Sequence, residues 1–227
     1  MDLIKNKAAR QQEGPGKQPA HEQVYQTLRL QIMYGDLIPG QPVTIQGLTD
    51  SLGVGMTPVR EAIRRLISDG ALVFQGNRRV SVPLLSGDDV QQMIFARKSI
   101  ESELSRRATA NLKSRDIDQL ERIDLRLDRT IADGDVGGYL RLNHAFHEML
   151  YSYANAPILN DLADRLWLRF GPSLRVVCGR FGTRSLPDRH KDIIAALRAQ
   201  DADKAARATA QDIEQGMELM VGALDSP

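Results

Sequence analysis

Thr57-Pro58-Val59-Arg60-Glu61-Ala62-Ile63-Arg64-Arg65-Leu66-Ile67-Ser68-Asp69-Gly70 is the stretch on which the fold turns. Thr57 can cap a helix through its side-chain oxygen, and Pro58 suits a first helical position, where a missing N–H costs nothing. Glu61 falls three residues beyond the cap, in capping-box spacing. Val59, Ile63, Leu66 and Ile67 make an apolar stripe, while Arg60 and Arg64, four apart, share another face. Gly70 ends the helix. The segment therefore offers one side to a core and a basic side to something else.

Upstream, Ile45 to Leu52 reads as a short helix with Leu48 and Leu52 inward, and Gly53-Val54-Gly55 makes a tight turn. Before it, Val24, Leu28 and Ile32 recur at fours from Glu22, and Gly35 with Pro39-Gly40 closes that helix. Downstream, Leu72–Phe74 and Val80–Val82 are strand candidates joined by Gln75-Gly76-Asn77-Arg78-Arg79, a hairpin with two arginines at its tip. Two short helices across a turn, with a hairpin behind them, are the layout of a winged helix-turn-helix. A helix fits the major groove, roughly 12 Å wide, and an arginine can make two hydrogen bonds to guanine there. Arg60, in the first turns, is the candidate base reader. Arg64 or Arg65 suits phosphate, and Thr57 can offer its hydroxyl or the first helical N–H groups to another. Arg78 and Arg79 can reach a minor groove or the backbone. A solvated basic face on a protein-interaction domain is the plainer alternative.

Charge agrees with the first reading once it is divided. The 227 residues carry 30 Lys plus Arg against 29 Asp plus Glu, a net of +1 that argues for no particular partner. Residues 1–86 hold 10 basic and 7 acidic side chains, and residues 87–227 hold 20 and 22, so a positive head is joined to a slightly negative remainder. The lone Cys178 excludes an intrachain disulfide framework. No run approaches the roughly 20 apolar residues of a membrane span, and no apolar signal core opens the chain, so a cytoplasmic location is expected.

The expected divisions are a flexible tail over 1–20, a winged helix-turn-helix over 21–83, a linker over 84–88, and an all-helical domain over 89–224. Helices are expected at 89–110, 114–132, 138–153, 156–176, 189–199 and 202–223, with breaks at Asp133-Gly134-Asp135, at Val136-Gly137-Gly138 and from Gly179 to Pro187. The fold class is mainly α, with an antiparallel six-helix bundle behind the winged module. Leu162, Leu166, Trp167 and Phe170 read as core and Cys178 as an inert thiol. Asn143 and His147 are four apart on one face, His144 lies beside them, and His190 opens a later helix. Imidazoles from separate helices can hold Zn²⁺, Ni²⁺ or Mn²⁺, although two histidines at i,i+3 are more often ordinary polar residues. Arg97, midway between Ile94 and Ile100, can point into the bundle, where it needs either a carboxylate ligand or Glu101 on its own helix.

The residues from Val24-Tyr25 through Leu52-Gly53-Val54, Thr57-Pro58-Val59-Arg60 and Asp69-Gly70-Ala71-Leu72 resemble the DNA-binding domain of the GntR family. That resemblance implies a dimer on a short palindrome, usually a ligand-responsive repressor, with Arg60 reading a base. Gly55-Met56 stands where Ser-Arg is common, Ile45 where a Glu often opens the second helix, and Arg79 where the wing often has glycine. One base contact is therefore expected to be lost or replaced. Residues 89–222 resemble the FCD effector domain of the FadR-type branch, through Arg97 and Glu101, Leu142-Asn143-x-x-Phe146-His147, and His190 with Ile194. Six helices rather than seven resemble the VanR-type subgroup. In metal-binding members an Asp and three His hold the ion beside a small organic acid. The resemblance places that set at Asn143, His147, His190 and Asp212, with two matches and two departures. It also turns Arg97 toward the effector. The expected partners are double-stranded DNA, a second copy, a small carboxylate and one divalent ion. A metal-dependent hydrolase, or a DNA-binding protein with a vestigial pocket, is the alternative.

Overall fold

In a computed structural model the described residues are 19–76, 79–182 and 189–224, and side chains are described except at Phe181 and beyond Met217. Arg78 and nearly all of the expected tail lie outside them. The elements run α1 Ala20–Met33, β1 Pro42–Val43, α2 Ile45–Leu52, α3 Met56–Ser68, β2 Val73–Gln75 and β3 Arg79–Ser81. Then come α4 Gly87–Thr109, α5 Ser114–Asp133, α6 Val136–Ser152, α7 Pro157–Phe181, α8 His190–Arg198 and α9 Ala202–Leu224. The fold is mainly α, a winged helix-turn-helix followed by six helices.

The stripe on α3 is buried at Val59, Ala62, Ile63 and Leu66, and packs against Val24, Leu28 and Ile32 of α1. Its start differs from expectation. Gly55, in an extended conformation, is the N-cap, with no side-chain cap bond, so Thr57 lies inside the first turn. Pro58 still costs no hydrogen bond there, because the first turn's N–H groups have no intrahelical partner. Glu61 pairs with Arg64 at 2.9 Å rather than closing a capping box. β1, which the sequence did not signal, pairs with β3 antiparallel, and β3 pairs with β2, giving the order β1-β3-β2.

Three other helix starts have local causes. Ser86 and Asp89 form a reciprocal capping box, so α4 opens at Gly87, inside the expected linker. Asp135 accepts from the Gly138 amide at 2.8 Å, which draws Val136-Gly137-Gly138 into α6 rather than leaving them as a break. Thr44 caps α2 through the Gly47 amide. Leu162 of α7 is 42% exposed and so is not core, whereas Trp167 and Phe170 are buried.

Module and bundle share one apolar cluster, in which Leu28, Ile32 and Leu66 join Trp167, Phe170, Leu174 and Ile213. A second cluster, with Leu104, Phe146, Leu150 and Ile193, fills the far end. The end of α1 lies directly on α7. A Cβ added to Gly171 would overlap the Met33 carbonyl oxygen, so only glycine allows this approach. Arg29 pairs with Asp164, and Arg165 with Asp69 at 3.4 Å, across the same junction.

Candidate functional site

Two sites emerge, one on the surface of the winged module and one between the two apolar clusters. On the first, Arg60 and Arg64 of α3 and Arg79 of β3 are exposed and line one groove of ≈ 640 Å³ with Thr44, Ile45 and Phe74. Thr57 is exposed near the start of α3. The structure separates Arg65 from this set. One residue further round the helix, it donates to Glu22 at 2.6 Å and its guanidinium lies 3.7 Å from the Tyr25 ring centre, facing the junction with the bundle. It is engaged within the protein and does not share the groove of Arg60 and Arg64.

The second site is built from α4, α5, α6, α8 and α9. His147 of α6 and His190 of α8 are 1% and 3% exposed, and their Nε2 atoms face each other at 3.3 Å. The Asp212 Oδ2 atom of α9 lies 3.2 Å from the His147 Nε2 atom. The donor atoms of the three residues fall within 4.8 Å of one another. Four-coordinate zinc with bonds of 2.0–2.1 Å sets its ligand atoms about 3.3 Å apart, so the spacing suits a small divalent ion. Asn143 lines the adjoining cavity with Arg97, His147 and Asp212. Of the expected ligand set, His147, His190 and Asp212 converge, and Asn143 shares the adjoining cavity with His147 and Asp212.

Each imidazole is held from behind. The His190 Nδ1 atom is 3.2 Å from Asp124 Oδ1, and His190 stacks on Phe146 with ring centres 3.9 Å apart. The His147 Nδ1 atom is 3.1 Å from the Tyr151 hydroxyl, which donates to Glu101 Oε2 at 2.8 Å. Glu101, fully buried, also receives the Trp167 indole N–H at 3.1 Å and both arms of Arg97, at 2.5 and 3.1 Å. Arg97 is 4% exposed and lies over the Trp167 and Phe170 rings. Of the two partners the sequence offered for Arg97, Glu101 is the one it has here.

Burial pushes the His147 pKa below its ordinary value against the pull of Asp212, so the ring is neutral near pH 7. The His147 Nδ1 atom faces the Tyr151 hydroxyl, and its Nε2 atom faces both the Asp212 carboxylate and His190. Two imidazole nitrogens and a carboxylate oxygen that lie this close together are a donor set that fits a divalent metal. The cavity beside them is small, ≈ 30 Å³, which is room for a water or an ion rather than an organic acid.

Asp124, Trp167 and Glu101 were not expected as parts of a site. Asp124 had a signal: Ile117, Leu120, Asp124 and Leu127 lie on one buried stripe of α5, and a carboxylate on such a stripe needs a partner.

Similarity to known proteins identifies both parts of the chain. Residues 20–82 match the model of bacterial regulatory proteins of the gntR family, and residues 92–215 match that of the FCD domain. The HTH-type transcriptional regulator McbR of Escherichia coli K12 is 27% identical over 201 residues, covering 87% of this chain and 91% of the relative. The HTH-type transcriptional repressor RspR of the same organism is 28% identical over 203 residues, 87% of each. The solved structure of E. coli McbR/YncC superposes with a TM-score of 0.85 at 26% identity, covering 92% of this chain and all of that one. No helix among the described residues is long and apolar enough to cross a membrane. The chain belongs to the GntR family of DNA-binding transcriptional regulators, with an FCD domain as its ligand-responsive part, and is not an enzyme.

Proposed function

We propose that the protein is a cytoplasmic repressor that binds a palindromic operator as a homodimer, and that its bundle senses a small organic acid beside a divalent ion. The observation that carries this reading is the convergence of His147, His190 and Asp212 inside the bundle. Arg60 reads a base in the major groove, while Arg64 and Arg79 meet phosphates. Two such modules, one per half-site, require a fixed separation, which makes DNA affinity sensitive to any change in the bundle.

Asn143, His147, His190 and Asp212 would hold the ion, which supplies a positive charge for a ligand carboxylate. Arg97 is the second cationic group at this place. The 30 Å³ cavity must widen to admit an acid, and its walls include Ile213 and Gly216 of α9. Ile213 also belongs to the cluster that holds α1 and α3, so widening disturbs the seat of the winged module. A ligand that binds the widened arrangement better shifts the population toward it.

The test uses the full chain purified without chelator. Its metal content is measured, and Zn²⁺, Ni²⁺ and Mn²⁺, each with a panel of small organic acids, are screened by thermal melting and by operator titration. A bound metal at one hundred times its dissociation constant should stabilise the fold by about 2.7 kcal/mol. An effector should then change operator affinity. Melting and DNA affinity that ignore every metal and acid would instead point to a vestigial pocket.

A further inference from the structure

We infer that Met56 is a specificity-determining residue: its side chain reads the C5 methyl group of a thymine in the major groove, beside the base that Arg60 reads. The inference rests on the reading above that α3 enters that groove.

Met56 is the first residue of α3, 49% exposed and outside both apolar clusters. Val54 before it and Val59 after it turn toward the core, while the extended N-cap Gly55 leaves Met56 on the outer side. Of the exposed side chains on α3, Met56 is the only apolar one. Helical residues four apart differ by about 40° around the axis and about 6 Å along it. Met56, Arg60 and Arg64 therefore follow one another on a single exposed face, with Met56 at its leading end. A recognition helix meets base edges with its N-terminal residues. At that end Glu61 is engaged by Arg64 at 2.9 Å, which leaves Met56, Thr57 and Arg60 to face the bases.

The chemistry of the groove narrows what Met56 can meet. All four bases present hydrogen-bonding groups there, and thymine alone adds an apolar one, its C5 methyl. A thioether has no hydrogen to donate and accepts only weakly. Against guanine, cytosine or adenine it would displace water from polar edges and replace none of the lost hydrogen bonds. Against the thymine methyl, two apolar groups leave water together, which is favourable. The unbranched methionine chain has the rotatable bonds to reach and cover that group. The 6 Å step along the helix sets the thymine within about two base pairs of the one that Arg60 reads.

The test uses the full chain and the duplex it selects from a random-sequence pool. The base pair at which Arg60→Ala loses discrimination marks the Arg60 contact. Each thymine is then replaced in turn by deoxyuridine, which removes only the C5 methyl, and affinity is read by fluorescence titration at one salt concentration. One replacement near the Arg60 contact should weaken binding by the unaltered chain about 4-fold, the contribution of one buried methyl group. Met56→Ala, at an exposed position, should melt as the unaltered chain does and be indifferent to that replacement. Met56→Leu, still apolar, should keep most of the response. With cytosine in place of that thymine affinity should fall, and 5-methylcytosine should recover part of it. A uracil series that is flat near the Arg60 contact overturns the inference, as does a Met56→Ala chain that responds like the unaltered one. If Arg60→Ala leaves operator preference unchanged, the groove reading itself has failed. An intact Arg60 effect beside a flat uracil series removes Met56 alone.

Discussion

The Tyr34 hydroxyl lies 3.3 Å from the His144 Nδ1 atom, a contact between the residue that ends α1 of the winged module and the helix that carries His147. Burial pushes the His144 pKa down to about 4, so the ring is neutral near pH 7. His144 meets the Trp167 ring edge-on at 5.1 Å between ring centres, and Trp167 donates to Glu101. Contacts thus run without a gap from Glu101, behind the candidate metal site, to the DNA-binding module.

Tyr34→Phe removes the hydroxyl and keeps the ring. It should cost about 0.5–1.5 kcal/mol in stability. The more telling readout is operator affinity with and without Zn²⁺. If the contact carries coupling, the ratio of the two affinities contracts in the variant. An unchanged ratio, with the melting temperature slightly lowered, makes Tyr34 a local anchor only.

Gly171 and Gly179 lie in the same helix and should respond oppositely to alanine. An exposed helical glycine costs up to about 1 kcal/mol relative to alanine. Gly179 is exposed with open space around it, so Gly179→Ala should raise the melting temperature. At Gly171 the new methyl group meets the Met33 backbone carbonyl, which cannot move aside as a flexible side chain would. Gly171→Ala should lower stability by about 1–3 kcal/mol. Protease sensitivity near residues 33–40 should rise in that variant and not in Gly179→Ala.

Arg60, Arg64 and Arg65 are neighbours in sequence with different expected effects. Arg60→Ala should reduce preference for the operator over unrelated DNA by about 1–3 kcal/mol. Arg64→Ala should weaken both kinds of binding and lower the salt slope by about 1. Arg65→Ala should leave the specificity ratio unchanged, because this side chain is engaged with Glu22 and Tyr25. Fluorescence titrations at several salt concentrations separate the three.

The helices were legible because their signal is periodic: Val59, Ile63 and Leu66 mark α3 whatever surrounds it. Helix starts were less so. Gly55 displaced Thr57 as the cap, and Asp135 drew two glycines into α6, since a cap depends on one residue's conformation rather than on a pattern. β1 has two residues and no period to show. In the candidate site, His147 and His190 stood out as rare side chains in helical frames. Glu101 did not stand out as a hub, because three of its donors come from places 4, 50 and 66 residues away in sequence. Asp124 is the instructive omission, a charge at an apolar position that should have prompted a search for its partner.

Cys178 gives stability an alkaline limb. Burial in α7 pushes its thiol up to about 12, with Arg175 pulling the other way. Below about pH 8.5, the ordinary thiol value, both folded and unfolded chains keep the proton and the group contributes nothing to pH dependence. Above it the unfolded thiol ionises while the folded one does not, so stability should fall as pH rises from there toward 12, by up to about 1.4 kcal/mol per pH unit. Cys178→Ala removes this group at the cost of a small void. The difference in stability between the two chains, followed by urea unfolding from pH 7.5 to 10.5, should therefore narrow as pH rises. Iodoacetamide at pH 8 should modify Cys178 slowly in the native chain and rapidly in urea. Rapid native labelling, or a stability difference that stays flat with pH, would contradict the buried, protonated thiol.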